Sequence, residues 1–145
     1  MAQRRWGTGI LADQTLYHER SDGRRGLSLF GVYTISDRTT AQILRCYEAG
    51  GVYQGTFSGR ANDTVSPGYV RAVVNPHLIQ SAKNSNPSTG GLPPAESVIE
   101  LSYGAQITKW LLIRPDLQYI LDPGAFRFAR ERRALPFGVQ VKVQF

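Results

Sequence analysis

The chain closes on Leu135-Pro136-Phe137-Gly138-Val139-Gln140-Val141-Lys142-Val143-Gln144-Phe145. Leu135, Phe137, Val139, Val141, Val143 and Phe145 fall on one parity, and Pro136, Gly138, Gln140, Lys142 and Gln144 on the other. Side chains of a strand point alternately to opposite faces, so this period of two predicts a strand with one greasy and one polar side. Its length is about that of a strand tilted across a bilayer. An edge strand of a soluble sheet carries the same alternation, and this segment alone does not separate the two.

Upstream the pattern recurs. Ile99, Leu101, Tyr103, Ala105 and Ile107 alternate with Glu100, Ser102, Gly104 and Gln106. Leu111, Ile113, Pro115, Leu117, Tyr119 and Leu121 alternate with Leu112, Arg114, Asp116, Gln118, Ile120 and Asp122, a mostly polar set. Residues directly opposite in a sheet share a face, which fixes the register. A three-residue connection, Thr108-Lys109-Trp110, pairs Ile107 with Leu111 and then sets Glu100 against Gln118, Ser102 against Asp116 and Gly104 against Arg114. A two-residue turn would mix the faces. Pro115 has no N–H to give a ladder, so a bulge or a missing bond is expected there. Trp110 falls at a strand end, where an amphipathic ring suits a membrane interface.

Four weaker strands are expected earlier, at about Trp6–Tyr17, Gly26–Ser36, Thr40–Gln54 and Gly68–Asn75. Phe30 and Val32 spoil the polar side of the second, and Gly50-Gly51 suggests a bulge in the third. A weak helical signal covers Pro76–Lys83 within a loop running from Pro76 to Glu96. A second long connection spans Pro123–Ala134, and the turn at Thr108 lies between them. Long loops alternating with short turns are the asymmetry of an outer-membrane barrel. With a periplasmic C-terminus, both long loops are external, and His18–Arg25 and Gly55–Pro67 are periplasmic turns, the second longer than the rule prefers.

Composition narrows the function classes. In 145 residues, 17 basic against 11 acidic side chains give a net charge of +6. The basic residues cluster at Arg4-Arg5, Arg24-Arg25 and Arg127 to Arg133, where solvated turns explain them. No basic helix or base-stacking motif accompanies them, so no nucleic-acid partner is expected. Cys46 is the single cysteine, which excludes an intramolecular disulfide. No apolar run reaches the roughly 20 residues of a spanning helix, which excludes helical membrane proteins only. No signal-peptide pattern follows Met1. His18 and His77 lack ligand spacing, Glu48 and Glu100 are not placed together by anything in the sequence, and the glycines form no phosphate loop. No enzyme activity, metal or cofactor is expected. Arg60 and Asp63 are expected to form a local pair in their turn.

The stretch ESVIELSYGAQITKWLLIRPDLQYILDPGA, with Glu100, Leu101, Tyr103, Trp110, Pro115, Asp116, Gln118, Tyr119, Pro123 and Gly124, resembles the C-terminal signature of the OprB-like carbohydrate-selective porins. The segments GGVYQGTFSGRANDT, from Gly50 to Thr64, and RGLSLFGVYTISD are similar to that family too, with Arg60 and Asp63 in matching places. The resemblance runs from about Trp6 to Phe145. It implies an all-β antiparallel transmembrane barrel of about sixteen strands, in the outer membrane, that carries sugars by passive diffusion. The present chain reads as about seven strands, one domain over 1–145, forming the C-terminal portion of such a barrel. Fewer than eight strands do not close alone, so a fragment or truncated gene product is expected.

On this reading the apolar faces meet lipid, and Glu100, Gln106, Arg114, Asp116, Gln118, Gln140 and Lys142 line a wet lumen. Arg114 and Asp116, two apart on one face, are candidates for an ion pair that narrows the channel or braces its wall. The expected partners are permeating sugars, outer-membrane lipid and, through the strand ending at Phe145, the barrel-assembly machinery. Two other readings remain open at this point: a soluble antiparallel β-sheet binding module and a nonfunctional porin remnant.

Overall fold

The computed structural model describes residues 5–18, 25–87, 92–127 and 131–145. Most of the turn expected at His18–Arg25, and Arg4, Arg24 and Arg130 of the basic clusters, lie outside the described residues. Seven strands form one sheet in sequence order: β1 (Gly7–His18), β2 (Gly26–Ser36), β3 (Ile43–Gln54), β4 (Thr64–Val74), β5 (Ala95–Gln106), β6 (Leu111–Leu121) and β7 (Phe137–Val143). Every neighbouring pair is antiparallel. An α-helix, α1 (Pro76–Ser85), lies between β4 and β5, and a short 3-10 turn covers Ala125–Arg127.

The strands lie where the alternation predicts, but several limits shift: β3 starts at Ile43 rather than Thr40, β5 at Ala95 rather than Ile99, and β7 covers Phe137–Val143 rather than all of Leu135 to Phe145. β4 begins at Thr64 rather than Gly68, because Val65 and Pro67 continue the apolar parity of Tyr69 and Val73. The connection before it shrinks accordingly to 55–63. The weak helical signal becomes a helix of 10 residues. Asn75 starts it, its Oδ1 accepting from the His77 N–H at 3.1 Å, and Pro76 occupies the first turn, where its missing N–H costs no hydrogen bond.

Registers match those that face alternation requires. Glu100 opposes Gln118 and Ser102 opposes Asp116; beyond them Ala105 opposes Ile113 and Gln106 opposes Leu112, so no residue has been inserted. The ladder lapses between these two stretches, beside Pro115. On its other side Pro115 still opposes Val139. The proline therefore removes a bond toward β5 without bulging the strand. Pro67 has the same effect toward β3, where pairing lapses between Gly50–Gly68 and Tyr53–Val65, while Pro67 still opposes Leu101. No bulge occurs at Gly50-Gly51; the irregularities in register fall at Thr15/Tyr17 and at Ile43/Arg45. The β5–β6 turn closes with Ile107 N–H donating to the Leu111 carbonyl at 3.0 Å.

The sheet is a single layer. The buried apolar residues, Leu44, Val74, Leu92, Ala95 and Ala125, belong to strand ends and connections at one end of the sheet. That end carries the turn 37–42 and the connections 75–94 and 122–136; the opposite end carries 55–63 and 107–110. Among the described residues no second sheet covers either face, so the strands' own apolar side chains stay open.

Candidate functional site

The two faces of the sheet differ in chemistry. One carries Leu29, Tyr53, Tyr69, Ile99, Leu101, Leu117, Phe137, Val139, Val141 and Val143, all exposed, up to 69% for Phe137 and 60% for Val141. Register places them in cross-strand rows such as Tyr69–Ile99–Tyr119 and Pro67–Leu101–Leu117–Phe137. An exposed apolar surface this continuous marks an interaction with lipid or protein. Rings bracket it. Tyr33 and Tyr47, with centroids 5.1 Å apart, stand toward the long-loop end, and Tyr53, Phe57, Tyr103 and Trp110 toward the short-turn end. Tyr47 and Tyr53 lie six positions apart in β3, roughly 20 Å of strand at about 3.3 Å per residue.

The other face holds the predicted site residues. Glu100, Gln106, Arg114, Asp116, Gln118, Gln140 and Lys142 all share it, by register: Glu100 opposes Gln118, Gln106 and Lys142 both oppose Leu112, Arg114 opposes Gln140, and Asp116 opposes Gly138. Their roles differ. Gln118 Nε2 donates to Glu100 Oε2 at 2.9 Å. Gln106 Nε2 donates to the carbonyls of Thr108, at 2.6 Å, and Leu111, at 3.3 Å, so it caps the β5–β6 turn. Gln140 and Lys142 are exposed on β7.

The expected Arg114–Asp116 ion pair does not form among the described residues. The side chains lean apart, each over a glycine of a neighbouring strand. A methyl group added at Gly104 of β5 would lie 3.5 Å from Arg114 Nε; one added at Gly138 of β7 would lie 2.6 Å from Asp116 Oδ1. The absent side chains at Gly104 and Gly138 make room for both, and open space lies sideways rather than along β6. Arg114 Nε is buried without a hydrogen-bond partner.

Two features were not legible as a site. Phe30, Glu48, Gly68, Val70, Val98 and Glu100 border one hollow of about 170 Å³. Glu48 and Glu100, unrelated in sequence, thus meet at one place, and the Phe30 ring lies across Gly50, where any side chain would collide with it. Second, Asp63 is a junction. It is 2% exposed and accepts from Arg60 Nε and the Tyr103 hydroxyl, and, at 3.0 Å, from the Gln106 N–H. The Arg60–Asp63 pair is as the sequence predicts; the link to β5 is additional. Burial pushes the Asp63 carboxyl up, but the hydrogen bonds from Arg60, Tyr103 and Gln106 outweigh it and hold it below the ordinary carboxylate range. Asp37, in the β2–β3 turn, is lowered by hydrogen bonds from the hydroxyls and N–H groups of Thr39 and Thr40. His18 ends β1 at the short-turn end and His77 begins α1 at the other.

A family model described as carbohydrate-selective porin, OprB family, matches residues 1–145. The chain belongs to the carbohydrate-selective porin family. Among relatives of this porin chain is Porin B of Pseudomonas aeruginosa, 32% identical over 149 residues, covering 96% of the chain and 32% of the relative. A second, named putative porin QuiX, from Acinetobacter baylyi, is 25% identical over 130 residues, covering 81% of the chain and 30% of the relative. The high-pH structure of Pseudomonas putida OprB superposes with a TM-score of 0.85 at 32% identity, over 96% of the chain and 35% of that structure. The low-pH structure of the same protein gives 0.68 at 28% identity. The porin chain thus spans about a third of the length of these relatives. Its seven-stranded, all-β antiparallel sheet is that of an outer-membrane porin fold, open because only part of such a barrel is present.

Proposed function

We propose that the chain is one domain over 1–145 that supplies part of the wall of a water-filled pore, the C-terminal part of the barrel, through which sugars diffuse passively across the outer membrane. The observation that carries this reading is the two-sidedness of the sheet: a bracketed apolar face with no protein layer over it among the described residues, backed by a face where carboxylates, amides and guanidinium groups stand among Phe30, Val52 and Val70. Lipid offers no backbone partners, so strands spanning it must pair with one another and turn their apolar sides outward. The polar side then borders the bore. Glu100, Gln106, Arg114, Asp116, Gln118, Gln140 and Lys142 are the proposed lining residues, with Phe30 and Glu48 added by the hollow they share with Glu100. Amides and ions exchange hydrogen bonds with a hydroxylated solute, and weak, repeated contacts let it leave. The long-loop end is proposed to face outward and the short-turn end the periplasm. The strand ending at Phe145 is proposed to engage the barrel-assembly machinery. A soluble binding module would need a second layer over Val139, Val141 and Val143, each about half exposed or more.

Liposome swelling with the complete protein tests the reading. Uptake of mono- and disaccharides should exceed that of protein-free liposomes. No swelling, with the protein inserted and folded, removes the transport claim.

A further inference from the structure

We propose that a hollow beside the start of α1, at the long-loop end of the apolar face, binds the phosphate group of a lipid. The hollow measures about 330 Å³, and Arg38, Arg45 and His77 border it together with apolar Leu44, Val73 and Pro76. Arg45 and Val73 are cross-strand neighbours on the apolar face. They stand one step beyond Tyr47 in β3, past the Tyr33–Tyr47 ring pair. The register irregularity at Ile43/Arg45 adds Leu44 to the strand here, and its side chain is buried. The rim is held in place: Asn75, 1% exposed, donates through Nδ2 to the carbonyls of Arg38, at 2.6 Å, and Ala41, at 2.9 Å.

The charge is uncompensated. Arg45 Nε is buried and has no hydrogen-bond partner. No carboxylate among the described residues pairs with Arg38 or Arg45. The Asp37 carboxylate is occupied by Thr39 and Thr40. A buried guanidinium donor without an acceptor calls for an anion, and the fork of arginine matches phosphate. The position selects a lipid as its carrier. Aromatic rings on a membrane protein sit at headgroup depth, so a site just past the Tyr33–Tyr47 pair meets lipid phosphates, and the walls of Leu44, Val73 and Pro76 suit the adjoining apolar groups. The proposal rests on the membrane reading of this face.

Native mass spectrometry of the complete protein in neutral detergent, with phosphatidic acid and phosphatidylcholine as competing probes, tests it. Phosphatidic acid should be retained at least tenfold in preference to phosphatidylcholine. The R38Q/R45Q double variant should lose that preference, and R38Q alone, at an exposed residue, should weaken it severalfold. K109Q, in the turn at the far end, should leave it unchanged. Folded state is read on each sample by heat-dependent gel mobility. A wild-type preference for phosphatidic acid in the folded double variant or in folded R38Q overturns the site. Displacement of the lipid by an equal concentration of inorganic phosphate overturns the lipid assignment in favour of a soluble anion. A protein that stays soluble and monomeric without detergent instead overturns the membrane reading itself.

Discussion

Asp63 gathers three donors from two elements: Arg60 of its own turn, and the Tyr103 hydroxyl and Gln106 N–H of β5. Removing the charge by D63N leaves Arg60 without its partner and weakens the other bonds, a cost of roughly 1–3 kcal/mol at neutral pH. Unfolding in urea, followed in micelles by tryptophan fluorescence, measures it. The pH dependence has a definite sign. The folded-state pKa of Asp63 lies below its ordinary value of 3.8, so the stability that its ionised form contributes is present in full above about pH 4 and is lost as the pH falls through the lower folded value. The gap between wild type and D63N should therefore be constant from pH 7 down to about 4 and narrow below that. A gap that widens in acid would contradict the assignment. At Arg114 and Asp116 the residue scale corrects a sequence expectation: sharing a face two positions apart did not make them partners, because Gly104 and Gly138 offer each a neighbour's vacant place.

Among the elements, β5 to β7 show why so much of the sheet was legible. Each alternates over most of its length, and a short turn joins β5 to β6, so face matching fixes their register. β4 was harder, since Pro67 looks like a loop residue and only its neighbour Leu101 shows it paired. The hollow of Phe30, Glu48 and Glu100 was not legible at all, because its residues come from β2, β3 and β5 and no local pattern joins them. The seven lining candidates were placed on one face by alternation alone; that Gln106 would spend its side chain on a turn depends on turn geometry that alternation does not encode. Two predictions belong here. P115V should restore a backbone bond toward Tyr103 and raise stability by about 0.5–1.5 kcal/mol, with new amide protection at position 115 in hydrogen exchange. V141R should destabilise the protein by about 2–4 kcal/mol in a bilayer, while Q140R on the opposite parity should cost little; comparable losses for both would remove the sidedness of β7.

For the whole molecule, the thin distribution of buried apolar residues means that folding by water exclusion into a core is not what holds this sheet together. On the proposed membrane reading, ladder bonds and an apolar solvent for one face do so, which predicts that the complete protein unfolds on transfer from detergent to plain buffer, as circular dichroism would show. If Asp116 borders the proposed pore, D116R should shift the reversal potential across a planar bilayer under a salt gradient; an unchanged potential would place Asp116 away from the bore. The count of strands has a final consequence. Because the meander is antiparallel throughout and has seven members, β1 and β7 run in the same direction. A ring that meets both margins with opposed neighbours can be completed only by an odd number of additional strands, making the total even, and an insertion or deletion of one hairpin preserves that parity whereas loss of one strand destroys it.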